Sequence, residues 1–485
     1  MNRIILIDGN PLMWRAAYSQ NENYVKEGII TYFFDILDKF DCSKCLCLWD
    51  SGKSRWRSVM YPEYKASREN RKNEFDLEVM HSQKEEAQTI LSYFGVRNIS
   101  VRGVEADDLI SWFSEYFSKD HSVIIVSRDK DLWQLVNPKV SIFDPLSNIF
   151  MDEEDVFSEV GLEPSLIPSW KALTGDVSDN IKGVKGVGDK TAVRLLEQFG
   201  GIDQLLDPKN SKELKLKKTS AKILDQADEL EHSYQLVKLP SLYDMHSFLD
   251  PLEKEELRSE LSKEVVTNTL KAQVEVDLLQ NYRIRRRFVD PLPPLDSFLE
   301  KIDFTISIPN DITSMENIVS TCTNCSMGKA RNTFKLFPRG PINAKIMLLG
   351  KNLGIIPEVE DLLDSMFDTI SIKRNNCWVT SVCKCSSGNT PVEYSALSTC
   401  SNYFKVEFEN VPPKLIIALG NEAMSLTTPY RYGVLKHVGE VLKYNGVWVA
   451  VLPDPMYIIR DSRKKVDWDY GVSKIKEFLD ERRKK

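Results

Sequence analysis

ALTGDVSDNIKGVKGVGDKTA, residues Ala172–Ala192, brings two kinds of chemistry into one short stretch. Asp176 and Asp179 stand in its first half, and Gly183, Gly186, Gly188, Lys190 and Thr191 follow directly. Glycines let backbone N–H groups approach a phosphate closely. The helical pattern VRLLEQFGG that follows puts a helix N-terminus behind the turn, which favours negative charge. Lys190 adds a point charge beside it. A plain glycine-rich turn between two helices is the alternative, and the preceding acidic pair argues against it.

Upstream, the chain repeats the acidic signal. Asp8 closes IILID, Asp50 closes CLCLWD, and Asp129 and Asp131 follow VIIVS in SRDKD. Glu105, Asp107 and Asp108 sit together in GVEADD. A carboxylate just past the end of a parallel strand points into the crevice where open α/β sheets bind ligands. Several such carboxylates cannot all ionise side by side without cations between them. Hard divalent ions with oxygen ligands are the natural neutralisers. Two of them roughly 3.5–4 Å apart make a phosphodiester-cleaving centre. The nine acidic residues Asp8, Asp50, Glu105, Asp107, Asp108, Asp129, Asp131, Asp176 and Asp179 are therefore the candidate metal ligands.

GVEADD, SRDKD and the 172–192 stretch together resemble the 5′→3′ exonuclease and flap-endonuclease family. That family includes bacteriophage 5′-nucleases and the 5′-nuclease domain of bacterial DNA polymerase I. The resemblance is strongest from Asp8 to about Gly201 and runs more weakly to about residue 305. It implies a PIN-like α/β sheet, two Mg²⁺ or Mn²⁺ ions, a helix–hairpin–helix on duplex backbone with an option of K⁺ in its loop, and a helical arch. The segment between Asp50 and Glu105 is the expected arch, with Arg55, Arg57, Tyr64, Lys65, Arg68, Arg71 and Lys72 and with Trp56 and Tyr61 interleaved. YKASR resembles the family's YKxxR element. It implies Lys65 and Arg68 as catalytic groups on the scissile phosphate, with Tyr64 beside them in DNA binding. If the segment is helical, Lys65 and Arg68 face the same way. A solvated basic helix face is the plainer reading of such a run.

Length and composition agree. A chain of 485 residues leads us to expect two to three domains. With 42% hydrophobic and 28% charged residues it has an ordinary globular composition. The net charge of −7 is unlike that of a DNA-binding protein, but nine acidic residues are claimed by one site and basic patches are local. There is no signal peptide pattern and no apolar run long enough to span a membrane. The expected location is the cytoplasm of a bacterium or of a phage-infected one, with no membrane partner.

Strand-like and helix-like runs alternate over residues 1–180, with strands at Arg3–Ile7, Leu46–Trp49 and Ser122–Ser127 and a helix near Glu27–Phe40. The expected fold is an α/β catalytic core over 1–160 and a helical DNA-binding region over 161–305, with helix pairs such as Ser211–Leu230. The basic cluster Arg283–Arg287 reads first as a solvated charge run and second as a DNA contact. Phe298–Ile302 resembles the end of the nuclease domain. A linker is expected at Thr305–Ser314, followed by an α/β domain over 315–485.

That second half carries a cysteine frame. Six of the nine cysteines follow residue 320. Cytosolic chains rarely need disulfides, so Cys322-x2-Cys325 with Cys385 and Cys400 points to a metal centre. Cys42, Cys45 and Cys47 lie at a strand and read as plain buried residues. The frame, with AKIMLLGKNLG, PPKLIIALGNEA and VAVLPDPM, resembles family 4 uracil-DNA glycosylases over about residues 318–460. This implies a [4Fe-4S] cluster on Cys322, Cys325, Cys385 and Cys400. Zinc stays open, since thiolates alone do not choose between the two. Cys385 matches the third ligand better than Cys383.

The glycosylase's own catalytic positions differ here. Its GEAPG motif becomes Gly350-Lys351-Asn352-Leu353-Gly354, its HPS motif becomes Asp454-Pro455-Met456, and its uracil-reading asparagine becomes Ser381. The expectation is a 5′-nuclease with a catalytically inactive glycosylase-like module for DNA docking, partner contact or support. Its substrates are DNA with 5′ ends, flaps or nicks, with RNA primers as a further option. A DNA polymerase or another replication protein is the expected partner. The rival readings are a bifunctional repair enzyme acting on a modified base and a non-enzymatic DNA scaffold. Intact carboxylates in every cluster weigh against the scaffold.

Overall fold

Apolar runs at the start of the chain build the first sheet. In the computed structural model its strands are β1 (Arg3–Asp8), β2 (Lys44–Trp49), β3 (Arg97–Ser100), β4 (Ser122–Val126), β5 (Val140–Asp144) and β6 (Ile149–Met151). The structure describes residues 3–483 except 20, 41–43, 67–74, 211–213, 215–217, 263–291, 293–294, 303–310, 331–332 and 387–391. Strand order is β3-β2-β1-β4-β5-β6, parallel throughout except for β6. Runs such as IILID are buried on both faces, which is why they read as continuous rather than alternating. Successive side chains still divide between the faces. Ile4 and Leu6 pack with the helix Ala106–Phe117, while Ile5 and Ile7 pack with helices Asn10–Ser19, Val25–Leu37 and Leu77–Tyr93. The helix expected near Glu27–Phe40 is the Val25–Leu37 helix.

After β1 the chain builds outward to β2 and β3, then returns to place β4 on the other side of β1. The crevice at such a reversal lies beyond the carboxyl ends of the strands. Asp8 ends β1, Asp50 follows β2, and Ser127–Asp131 follow β4, so the fold delivers three acidic clusters to one edge.

Beyond residue 152 the chain turns helical, and a separate apolar core gathers Leu173, Val184, Val187, Leu195, Leu230 and Leu236. Between the helices Ile167–Thr174 and Asp189–Phe199 lies a small hairpin of β7 (Gly175–Asp176) and β8 (Ile181–Lys182). Gly175 has φ +81°, and a Cβ there would meet the Gly183 nitrogen at 2.4 Å; a Cβ on Gly183 would meet the Thr174 carbonyl carbon at 2.3 Å. Only glycine fits at either position. The helix Asp296–Ile302 returns to the first domain, where Phe298 stacks on Phe113 at 4.5 Å.

The second half has its own sheet. β9 (Phe334–Lys335) pairs with β12 (Cys385–Ser386), and β10 (Ile346–Gly350), β11 (Trp378–Ser381), β13 (Leu415–Leu419), β14 (Val441–Tyr444) and β15 (Val447–Leu452) follow the order β11-β10-β13-β15-β14. Only β14 is antiparallel in the larger sheet. The helix Ile312–Thr321 starts inside the expected linker, capped by Asp311, and packs Met315 and Val319 beside the cysteines. No helix among the described residues is long and apolar enough to cross a membrane.

Candidate active site

Asp8, Asp50, Asp107 and Asp129 form the acidic centre. Burial, then the nearby Asp50 and Asp129 charges, push the Asp8 carboxyl up to about 8, although Ser127 Oγ donates to it at 2.9 Å. Asp107 is raised well above its usual range by burial and by Asp129, Asp8 and Asp50. Asp50 is raised by burial and by Glu105, and accepts from the Ala106 N–H at 2.7 Å and Asn10 Nδ2 at 2.5 Å. Mutual elevation of this kind is what carboxylates show when they share too little positive charge. The donor set, hard oxygens at a crevice, fits divalent cations.

Two lysines and one arginine meet the remaining acids. Lys65 Nζ is 2.6 Å from Glu105 and 3.6 Å from Asp179. Burial alone would raise the Glu105 carboxyl, yet Arg57 and Lys65 hold it below its ordinary value. Lys171 Nζ lies 2.6 Å from Asp131 and 3.1 Å from Asp176, which joins these two acids as a second group. Burial and the adjacent Asp129 push Asp131 up to about 6 despite that lysine. Ser178 Oγ donates to Asp176 at 2.7 Å.

Three expectations need correction. Asp108 was expected among the metal ligands; its side chain is fully buried and gripped by Arg57 at 2.8 and 3.0 Å, with Trp56 Nε1 donating at 3.1 Å. Adjacent residues on a helix point in different directions, and on Ala106–Phe117 Asp108 turns into the core. Tyr64 was expected on DNA; it is buried, and its hydroxyl donates toward Glu105 at 2.9 Å and Asp179 at 3.1 Å. The first part of the expected arch is packed inward: Trp56, Arg57 and Tyr61 are buried, and Arg55 pairs with Glu253 at 2.7 Å. Lys65 has φ +55°, so no helix runs through it. Arg68, Arg71 and Lys72 lie outside the described residues, as do Cys42 and the basic cluster Arg283–Arg287.

The glycine loop does face solvent. Gly186, Gly188 and Lys190 are exposed, and Gly188 caps the Asp189–Phe199 helix with no side chain over its N-terminus. Gly183 instead carries the close backbone approach to Thr174, so its part is architectural. Thr191 is half-buried.

Sequence reasoning missed Asn10, Ser127 and Lys171. Asn10 and Ser127 adjoin the strand-end acids, and their signal was only that adjacency. Lys171 precedes the quoted stretch by one residue and carried no signal of its own.

In the second half Cys322, Cys325, Cys385 and Cys400 gather in one buried cluster, with Cys383 beside them. Cys383 and Cys400 are hydrogen-bonded partners, Lys335 Nζ donates to Cys385 Sγ at 3.3 Å, and the Lys384 N–H donates to Cys400 Sγ at 3.4 Å. Burial pushes the Cys385 thiol up to about 11 and raises Cys325 further. Donors aimed at sulfur suit thiolates, so this set fits a thiolate-held centre in its chemistry. Among the described residues no three acids, cysteines or histidines close around a single point at metal-binding distance. Cys45 and Cys47 are buried in β2, as expected of plain strand residues.

Comparison with known proteins matches three successive stretches of the chain. Residues 3–161 match the family model described as 5′-3′ exonuclease, N-terminal resolvase-like domain, and residues 162–260 match 5′-3′ exonuclease, C-terminal SAM fold. Residues 337–473 match the uracil DNA glycosylase superfamily. A 5′-3′ exonuclease of Bacillus subtilis is 30% identical over 258 residues, covering 49% of this chain and 83% of that protein. The thermostable DNA polymerase I of Thermus aquaticus is 29% identical over 273 residues, covering 54% of this chain and 32% of the polymerase. A structure of T5 5′-exonuclease with divalent zinc bound is 24% identical, covering 54% of this chain and 98% of that one, with a TM-score of 0.47. On the family models and the Bacillus relative, the chain belongs to the 5′-3′ exonuclease family.

Proposed function

We propose that this exonuclease hydrolyses DNA phosphodiesters from 5′ ends, nicks and flaps with two divalent cations, Mg²⁺ or Mn²⁺. The observation that carries the reading is the gathering of Asp8, Asp50, Asp107 and Asp129 at the reversal of the sheet, where burial and neighbouring carboxylates raise Asp8, Asp50 and Asp107. Asp8, Asp50, Asp107, Asp129 and Glu105 would hold the main site, and Asp131, Asp176 and Asp179 a more open second one. When bound, such ions supply Lewis acidity and charge neutralisation at the scissile phosphate. The chain's own groups do the rest. Lys65, 2.6 Å from Glu105, would offset the charge that develops on the phosphate. Arg57 and Tyr64 keep Glu105 in place, and Asn10 and Ser127 orient Asp50 and Asp8. Arg68 stays in the proposal as a second phosphate contact.

Gly186, Gly188, Lys190 and Thr191 hold duplex backbone away from the reaction, with K⁺ as the proposed loop ion. Contacts of this kind position DNA without reading its sequence. We place the nuclease over residues 1–305 and the second domain over 315–485, in a bacterial or phage-infected cytoplasm, with a replication polymerase as partner. Cys322, Cys325, Cys385 and Cys400 are proposed to hold an iron–sulfur cluster, or zinc in its place. Lys351, Ser381 and Asp454 lead us to expect no uracil excision.

The test is cleavage of 5′-flap, nicked and blunt duplexes with Mg²⁺, Mn²⁺ or EDTA. Metal-dependent products from the 5′ side support the reading. Cleavage unaffected by EDTA overturns it.

A further inference from the structure

One of the altered glycosylase positions, Lys351, reaches the nuclease, and Arg460 joins it there. Lys351 Nζ is 2.8 Å from Glu231, which belongs to the helix Ala227–Val237 of the first half. Arg460 Nη2 binds the other oxygen of Glu231 at 3.0 Å, and its Nε donates to the Leu206 carbonyl at 3.1 Å. Glu231, Lys351 and Arg460 are all buried. Asp454 and Glu422 surround Lys351 at 4.0 and 3.6 Å. Burial raises the cost of each charge, but here the carboxylate is drawn below its usual range, to about 2, by the two cations. A cavity of about 250 Å³ beside this group has nuclease residues, Met60, Asp228 and Gln235 among them, in its wall.

The same helix makes two sets of contacts on two faces. On one face Glu231, Gln235 and Lys238, spaced one turn apart, all reach the second domain. Gln235 donates to the Val392 carbonyl at 2.5 Å, Lys238 pairs with Glu393, and His232 stacks on Tyr432 at 4.6 Å. On the other face Ser233 donates to the Lys182 carbonyl of β8 at 2.8 Å, and the Leu236 carbonyl accepts from Arg57 Nε at 3.0 Å. Arg57 in turn binds Glu105 at 2.9 Å.

We propose that the second domain is a clamp for the nuclease: Lys351 and Arg460 are positioning residues that fix the Ala227–Val237 helix, and through it Glu105 and the phosphate-gripping hairpin. This rests on the nuclease reading for its activity readout. The clamp delivers its effect by holding Arg57, and with it Glu105, and the Lys182 backbone in place.

The test uses the full-length chain as Lys351→Met, Glu231→Gln and their double variant, with Lys351→Arg as the conservative control. Hydrogen exchange reads the 227–237 and 55–60 segments without any substrate. Cleavage kinetics read kcat, KM for duplex and the Mg²⁺ concentration for half-maximal rate. The expected result is faster exchange in both segments. A fall in kcat of about 2- to 30-fold should accompany it, the range for residues that couple sites at a distance. Half-activation should need more Mg²⁺, the double variant should be less than additive, and Lys351→Arg should recover part of the loss. If Lys351→Met fails to fold, Glu231→Gln carries the same comparison, since it keeps the side-chain shape. Wild-type exchange in both segments overturns the clamp, and so does faster exchange with unchanged kcat and metal dependence. A wild-type chain that cleaves nothing with metal would sink the nuclease reading instead, leaving the exchange result to judge the clamp contact.

Discussion

Arg57 and Asp108 form a two-pronged ion pair inside the first domain, with Nη2 to Oδ1 at 2.8 Å and Nη1 to Oδ2 at 3.0 Å. Both side chains are almost wholly inaccessible, and the same guanidinium reaches Glu105. Removing one partner of a buried pair leaves an uncompensated charge and costs about 3–5 kcal/mol. Arg57→Met should therefore lower the unfolding midpoint strongly, as read by thermal or urea melts. Unfolding at the wild-type midpoint would refute the pair's structural part.

Asp129→Asn should abolish cleavage while DNA binding stays nearly intact, because the proposed phosphate contacts are those of the glycine loop and its lysine. Filter binding or anisotropy on a 5′-flap, alongside a cleavage assay, separates the two. Wild-type turnover in Mg²⁺ would remove Asp129 from the site.

Lys65 and Lys190 should fail differently. Lys65→Ala should mainly lower kcat, since its ammonium lies within the acidic centre. Lys190→Ala should raise KM and flatten the log–log salt dependence by about one unit, one phosphate contact being lost. The reverse pattern would exchange their roles.

Cys400→Ser should loosen the fold after about residue 315 and abolish the metal content of the purified protein. Iron and zinc analysis, with the visible spectrum of anaerobically prepared protein, distinguishes a cluster from zinc. A stable second domain in metal-free wild-type protein would count against any centre there.

His232 sets a pH dependence. Burial depresses its pKa from 6.5 to about 4. A depressed folded-state value means the unfolded chain takes up the proton first, so stability present above pH 6.5 is lost as pH falls toward about 4. The melting temperature of wild type should drop more steeply over that window than that of His232→Gln. Parallel curves would show that His232 contributes nothing.

The sheet and the acidic centre were legible because strand-end carboxylates follow from local sequence: IILID and VIIVSRD each specify a strand and what it delivers. Asp108 was misread because adjacency in GVEADD cannot say which acid a helix turns inward; Trp56 and Arg57, some fifty residues away, decide that. Tyr64 was misread for a similar reason, since only the folded chain brings Glu105 and Asp179 to its hydroxyl. The contact between Glu231 and Lys351 had no local trace at all. It joins residues 120 positions apart, one in each half.

Gly175 and Gly183 touch backbone to backbone at the root of the hairpin that carries Asp176 and Asp179. The loop bearing Gly186, Gly188 and Lys190 leaves the same root. On the proposed roles, the cutting end and the holding end are jaws of one caliper with its screw tightened. On that proposal the span in base pairs between the phosphate held and the phosphate broken is a fixed gauge, and adding a side chain at either glycine should reset the gauge instead of merely slowing the cut.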